Sequence, residues 1–235
     1  MIFLLFFISK FTMLSAVTLV LDDFKSNVYV EGQYARPAGW VKGHEKDGKF
    51  DYFILKEGNT LFLRAEYIPD TSGKVIYLEK RTKLSDTPFL SWRWRARKFP
   101  ALVTKGANEE VDNVATVYAM FKRNLKSYLI KYQWSQINCK DTEKGKPFFF
   151  KSRSSSRIII RPLRCTSPAK ASCSDKADVW VTEKVNLVED YMKFFGKDKN
   201  SVPENLEGIG VLSDGDDTET PGVSADFADF VLTSE

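Results

Sequence analysis

The chain has 235 residues, 43% of them hydrophobic and 14% aromatic, which is enough for one sizeable core and too apolar for disorder. Its 35 basic and 31 acidic residues leave a formal charge of +4, without the strong positive balance of a nucleic-acid-binding domain. The single histidine rules out a multi-histidine metal centre, and three cysteines with no C-x-x-C pair argue against structural zinc.

Met1 to Val20 stand apart: Ile2–Ile8 is wholly apolar, Lys10 interrupts the run, and Phe11–Val20 resumes it. The pattern predicts a signal peptide over residues 1–20, cut near Ala16, and a mature domain over 21–235. A start at Met13 is the competing reading. As a permanent membrane span the segment would hold Lys10 mid-bilayer at a cost of about 2.5–3.5 kcal/mol, and no later stretch is long and apolar enough to cross. The expected location is therefore the periplasm or the exterior, with no transmembrane helix once the leader is removed.

Period-two alternation then recurs along the chain and predicts half-buried strands. Leu61, Leu63, Ala65 and Tyr67 share one face of a strand. In Phe89–Arg97, Trp92 and Trp94 point one way and Arg93, Arg95 and Arg97 the other. Val114–Phe121 is apolar on both faces, as a central strand would be, and Tyr128–Ser135 alternates aromatic and polar residues. Arg157–Arg161, Val179–Thr182, Ile209–Leu212 and Ala225–Leu232 complete the strands, and the serine run of Lys151–Arg157 reads as a hairpin turn. One helix is expected, capped by Asn186, running over Leu187–Phe195 and ended by Gly196. Eight or more strands with one helix predict a mostly β fold, two packed antiparallel sheets in a jelly-roll-like sandwich.

Each candidate site has a structural alternative. His44 lies in a polar loop, where a surface histidine is the default. Cys165 and Cys173 bracket a short polar segment that would suit a disulfide, leaving Cys139 over; free thiols are the alternative. Trp92 and Trp94, with Trp134 on a matching strand, are either a stacking platform for sugar rings or core filling. Arg93, Arg95 and Arg97, extended by Lys131 and Gln133, are either a binding row for an anionic ligand or a solvated face of ion pairs. Asp214, Asp216 and Asp217 crowd one glycine-containing loop; oxygen-rich loops of this kind bind calcium, and the alternative is a solvated acidic turn. The spacing excludes an EF-hand, because Ala225 stands eleven positions after Asp214. Asp226 and Asp229 could add ligands there or pair with the arginine row. Glu109, Glu110 and Asp112 precede the central strand and could support glycoside hydrolysis if two of them faced each other across a cleft.

As a set, several pieces resemble one bacterial family. They are Pro37-Ala38-Gly39-Trp40, Leu90-Ser91-Trp92-Arg93-Trp94-Arg95, Asp112 through Tyr118 to Phe121, Tyr132-Gln133-Trp134-Ser135, Phe195-Gly196, Gly208-Ile209-Gly210-Val211 with Asp214, Asp216, Asp217 and Thr218, and Ala225-Asp226-Phe227-Ala228-Asp229-Phe230. Their order and spacing are similar to those of domain of unknown function 3047, and the closing pattern is also similar to galactose-binding-like jelly rolls. The resemblance implies a bacterial, periplasmic β protein and supplies no activity. One departure stands out: Thr116 occupies a position, two before the central-strand tyrosine, where the family tends to carry arginine.

The leading expectation is a non-catalytic binding module for a carbohydrate or an anionic cell-envelope ligand, with Arg93, Trp94, Arg95, Asp112 and Trp134 as binding residues. A carboxylate-dependent glycan hydrolase of the envelope and a structural protein without ligand are the alternatives.

Overall fold

The structure, a computed structural model, describes residues 16–27, 37–42, 52–68, 75–101, 112–136, 148–152, 155–166, 175–196 and 199–235. In chain order its strands are β1 (Thr18–Asp22), β2 (Trp40–Lys42), β3 (Tyr52–Glu57), β4 (Thr60–Glu66), β5 (Ile76–Lys83), β6 (Phe89–Lys98), β7 (Ala115–Arg123), β8 (Lys126–Ser135), β9 (Phe148–Ser152), β10 (Ser156–Cys165), β11 (Val181–Asn186), β12 (Asn205–Leu212) and β13 (Ser224–Thr233). Among the described residues one α-helix, α1 (Leu187–Phe194), and a 3-10 turn at Lys199–Ser201 join them.

These strands form two sheets. The six-stranded sheet runs β11-β6-β13-β4-β3, with β1 pairing the second half of β13. The seven-stranded sheet runs β2-β5-β12-β7-β8-β10-β9 and has β7 at its centre, as the doubly apolar Val114–Phe121 predicts. The sandwich expectation holds with one amendment, a parallel β8/β10 pair in a framework otherwise antiparallel. Thr18–Val20, inside the segment read as a leader, lie in β1.

The core follows directly from alternation. Trp92, Trp94, Tyr132 and Trp134 are fully buried between the sheets, where Trp92 meets Trp94 edge-on at 5.5 Å, Tyr132 at 5.6 Å, and Trp94 meets Trp134 at 5.7 Å. Such ring pairs add about 0.5–1.5 kcal/mol each beyond their burial. The indole N–H of Trp94 donates to Glu183 at 3.3 Å and that of Trp134 to Thr166 at 3.0 Å, while Trp92 Nε1 has no hydrogen-bond partner among the described residues.

The helix starts as the sequence predicts. Asn186 is extended and its side-chain oxygen accepts from the backbone of Val188 and Glu189. Helix α1 closes one end of the sandwich: Asp190 accepts from the Tyr132 hydroxyl at 2.8 Å and pairs with Arg161, so a buried acid ties β8 and β10 to the helix. Burial raises the Asp190 carboxyl above its usual range, against the opposing pull of Arg161. Cys165 is disulfide-bonded; Cys139 and Cys173, the two residues able to partner it, lie outside the described residues. His44, Glu109 and Glu110 also lie outside them.

Candidate functional site

The sandwich has two outer faces, and the sequence-predicted residues divide between them. On the six-stranded sheet, alternation along β6 puts Arg93, Arg95 and Arg97 outside, back to back with the buried tryptophans. They are not free. Asp226, with no exposed surface, accepts from Arg95 Nε at 2.9 Å and from Arg64 Nε and Nη2 at 2.7 and 3.0 Å, with Arg97 Nε 3.9 Å away. Arg93 pairs with Asp229 at 2.5 Å, Arg95 with Glu57 at 2.9 Å and Arg97 with Asp178 at 2.6 Å. The bond from Arg95 holds the Glu57 carboxyl below the usual carboxylate range.

Strict alternation would set Asp226 and Asp229 on opposite faces of β13. A register shift between Ala228 and Val231, with Asp229 at φ 54°, flips the phase so that both acids face the arginines while Phe227 and Phe230 both face the core. Aspartate is one of the few residues that tolerate this conformation. Trp180, just outside β11, lies over the guanidinium groups of Arg95 (4.6 Å) and Arg93 (5.1 Å) and meets Phe62 edge-on. The turn at Asp178, φ 61°, takes Val179 and Trp180 out of the ladder, so this strand begins at Val181 rather than Val179.

The arginine row is thus a closed ion-pair cluster, the solvated-face alternative with its centre buried. Trp94 and Trp134 are core residues with no surface to offer a sugar. Lys131 and Gln133 do not extend the row, because they sit on the outer face of the opposite sheet, across the sandwich from Arg93 and Arg95.

The outer face of the seven-stranded sheet is built differently. Successive cross-strand pairs along β7 and β8 place Thr116 beside Gln133, Tyr118 beside Lys131, Met120 beside Leu129 and Lys122 beside Ser127. On β5 the outward residues are Tyr77, Glu79 and Arg81. Between β5 and β7, β12 carries Gly208 and Gly210, where the chain packed alongside leaves no room for a side chain. A Cβ at Gly208 would lie 2.3 Å from the Leu78 carbonyl oxygen, and one at Gly210 3.0 Å from Val75 Cγ2.

The result is a groove of about 490 Å³. Tyr77, Met120 and Leu129 give it apolar surface; Arg81 and Lys122 bring two cations, Glu79 and Glu207 two carboxylates. Arg81 and Glu207 approach to 3.6 Å. At the other end of this face the surface closes over polar groups. Tyr118 is buried under Lys131, whose Nζ is 5.2 Å from the ring, and burial with the Asp214 carboxylate pushes the Tyr118 hydroxyl far above its usual range. Thr116 is fully buried and donates to the Asn113 carboxamide.

Beyond that end lies the acidic loop. Asp112 Oδ1 accepts from the backbone of Asp217 at 3.1 Å and Oδ2 from Thr218 at 2.7 Å, and the Asp214 N–H donates to the Asn113 carbonyl at 3.0 Å. These bonds fold residues 214–218 back onto the start of β7. Carboxylate oxygens of Asp112, Asp214 and Asp216 then lie within 4.8 Å of one another. Burial, then the charges of Asp216 and Asp112, hold the Asp214 carboxyl well above the usual range. Of the residues that the sequence offers as metal ligands, Asp214 and Asp216 are brought together with Asp112, and Asp217 meets Asp112 through its backbone N–H. Asp112, expected at a ligand or in a catalytic pair, serves this loop rather than a cleft.

Sequence reasoning missed the groove because β5 was not read as a strand, although Tyr77, Glu79 and Arg81 alternate regularly. It missed Arg64 and Glu57 because only pairing across strands reveals them.

Among solved structures the chain is similar to the xyloglucanase domain of NopAA from Sinorhizobium fredii, with 10% identity, a TM-score of 0.41 and coverage of 86% of this chain and 96% of that one. It is also similar to a cellulase derived from Cel12A of Rhodothermus marinus, at 12% identity and TM-score 0.44, covering 94% of this chain and 100% of that one. A carbohydrate-binding module specific for non-crystalline cellulose is similar at 13% identity and TM-score 0.32, with 83% of each chain covered. Likeness at this level carries no statement about ligand or activity. No curated protein sequence matches the chain. The family model described as "Protein of unknown function (DUF3047)" matches residues 38–145 and 163–231, and the chain belongs to that family.

Proposed function

We propose that the protein is an exported binding module that takes an uncharged carbohydrate in the groove on the outer face of the seven-stranded sheet. The observation that carries this reading is the composition of the groove wall. Tyr77 offers a ring on which the apolar C–H face of a sugar can stack, and Met120 and Leu129 offer further apolar contact. Two cations beside two carboxylates supply donors and acceptors in equal measure, which suits vicinal hydroxyl groups. An anionic ligand would need an excess of cations, and the one dense arginine cluster is already neutralised by Asp226, Asp229, Glu57 and Asp178.

Export is supported by the apolar N-terminal segment and by the disulfide at Cys165, since disulfides persist in oxidising compartments.

A calorimetric titration against matched neutral and uronic-acid oligosaccharides tests the proposal. Binding of a neutral oligosaccharide with weaker or no binding of its acidic counterpart is the expected result. Preference for the acidic series, or no binding at millimolar sugar, would overturn it. Glu79 and Glu207 stand on neighbouring strands in the groove, so the same samples are assayed for released reducing ends. Turnover that is lost in Glu79→Gln or Glu207→Gln would replace the binding reading with a hydrolytic one.

A further inference from the structure

The acidic loop carries an inference separate from the groove. Asp112, Asp214 and Asp216 come from two segments and bring carboxylate oxygens within 4.8 Å of one another. None of the three makes an ion pair with a lysine or arginine among the described residues, unlike Asp226, Asp229, Glu57 and Asp178 on the arginine face. Three like charges gathered without a counter-charge need either a proton or a cation.

Unpartnered polar atoms point to a missing ligand at the same place. Asp214 Oδ1 is an acceptor buried from solvent with no hydrogen-bond donor. Ser213, the chain neighbour of Asp214, is 4% exposed, and its Oγ, which can accept as well as donate, also lacks a partner. Buried groups of this kind ordinarily bond to ordered water, and calcium keeps waters in its coordination sphere.

Ligand chemistry selects the ion. Calcium takes about six to eight oxygen ligands in flexible geometry, which three carboxylates within 4.8 Å of one another, completed by water, can supply. Magnesium demands near-ideal octahedral geometry and is usually held by only one or two carboxylates. Asp216 is exposed and gives the ion a path from solvent.

We propose that Asp112, Asp214 and Asp216 bind one calcium ion, which fastens the 212–220 loop to the start of β7. The protein stripped with chelator and dialysed should take up one calcium per chain by calorimetry. Its melting temperature should rise by several degrees with calcium and by clearly less with equal magnesium. Asp216→Asn, a change at an exposed side chain, should weaken calcium affinity at least tenfold while the chelated variant melts no lower than chelated wild type, because a like charge is gone. Binding below a tenth of an ion per chain at millimolar calcium, an equal response to magnesium, or unchanged affinity in Asp216→Asn would each overturn the proposal.

Discussion

The two outer faces of this sandwich carry similar residue types and do opposite things with them. On the six-stranded sheet, arginines meet carboxylates at 2.5–3.0 Å around the wholly buried Asp226, and Trp180 lies across the top. On the seven-stranded sheet, Glu79, Glu207, Arg81 and Lys122 line a groove with Tyr77, Met120 and Leu129, and the shortest ion pair among the four charged groups spans 3.6 Å. Charge density by itself therefore does not mark a binding face. What distinguishes the faces is whether the charges have already found each other.

That contrast can be broken by substitution. Asp226→Ala should have the largest effect, about 3–5 kcal/mol of lost stability, because it leaves Arg64 and Arg95 facing a hole; thermal or urea unfolding measures it. Alkali should act on the other sheet. Burial raises the hydroxyl pKa of Tyr118 and Tyr132 far above the unfolded value near 10, so their contribution is intact below about pH 10 and is lost as pH rises toward their folded values. Each tyrosine should remove about 1.4 kcal/mol per pH unit in that window, and unfolding curves at stepped pH should show a shallower fall in Tyr132→Phe. At neutral pH, Tyr132→Phe should cost about 1–3 kcal/mol, since buried Asp190 loses a donor but keeps Arg161. Asn186→Ala should cost about 1 kcal/mol through the lost helix cap. Arg93→Ala, at a half-exposed pair, should cost no more than about 1 kcal/mol.

Much of this was legible from alternation. The tryptophan/arginine split of β6, the central position of β7 and the Asn186 cap each follow from one local rule. The sites were less legible, because each depends on something nonlocal. The phase flip at Asp229 makes the arginine cluster close, and no periodicity of two foretells it. Asp112 joins the acidic loop only because residues 214–218 fold back onto it across a hundred positions of chain. Lys131 and Gln133 alternate as Arg93 and Arg95 do, but on the other sheet, so equal spacing put them on opposite sides of the molecule. The groove draws its wall from four strands, β5, β12, β7 and β8, so only their pairing order brings Tyr77, Glu207, Met120 and Leu129 together.

The sharpest measurement sets one residue from each face side by side: affinity for a neutral oligosaccharide in Tyr77→Ala and in Arg93→Ala, with both variants first shown to be folded. Placing function on the seven-stranded face requires Tyr77→Ala to lose at least tenfold in affinity and Arg93→Ala to bind as wild type does. Wild-type affinity in Tyr77→Ala together with loss in Arg93→Ala would move the site to the arginine face and contradict the account.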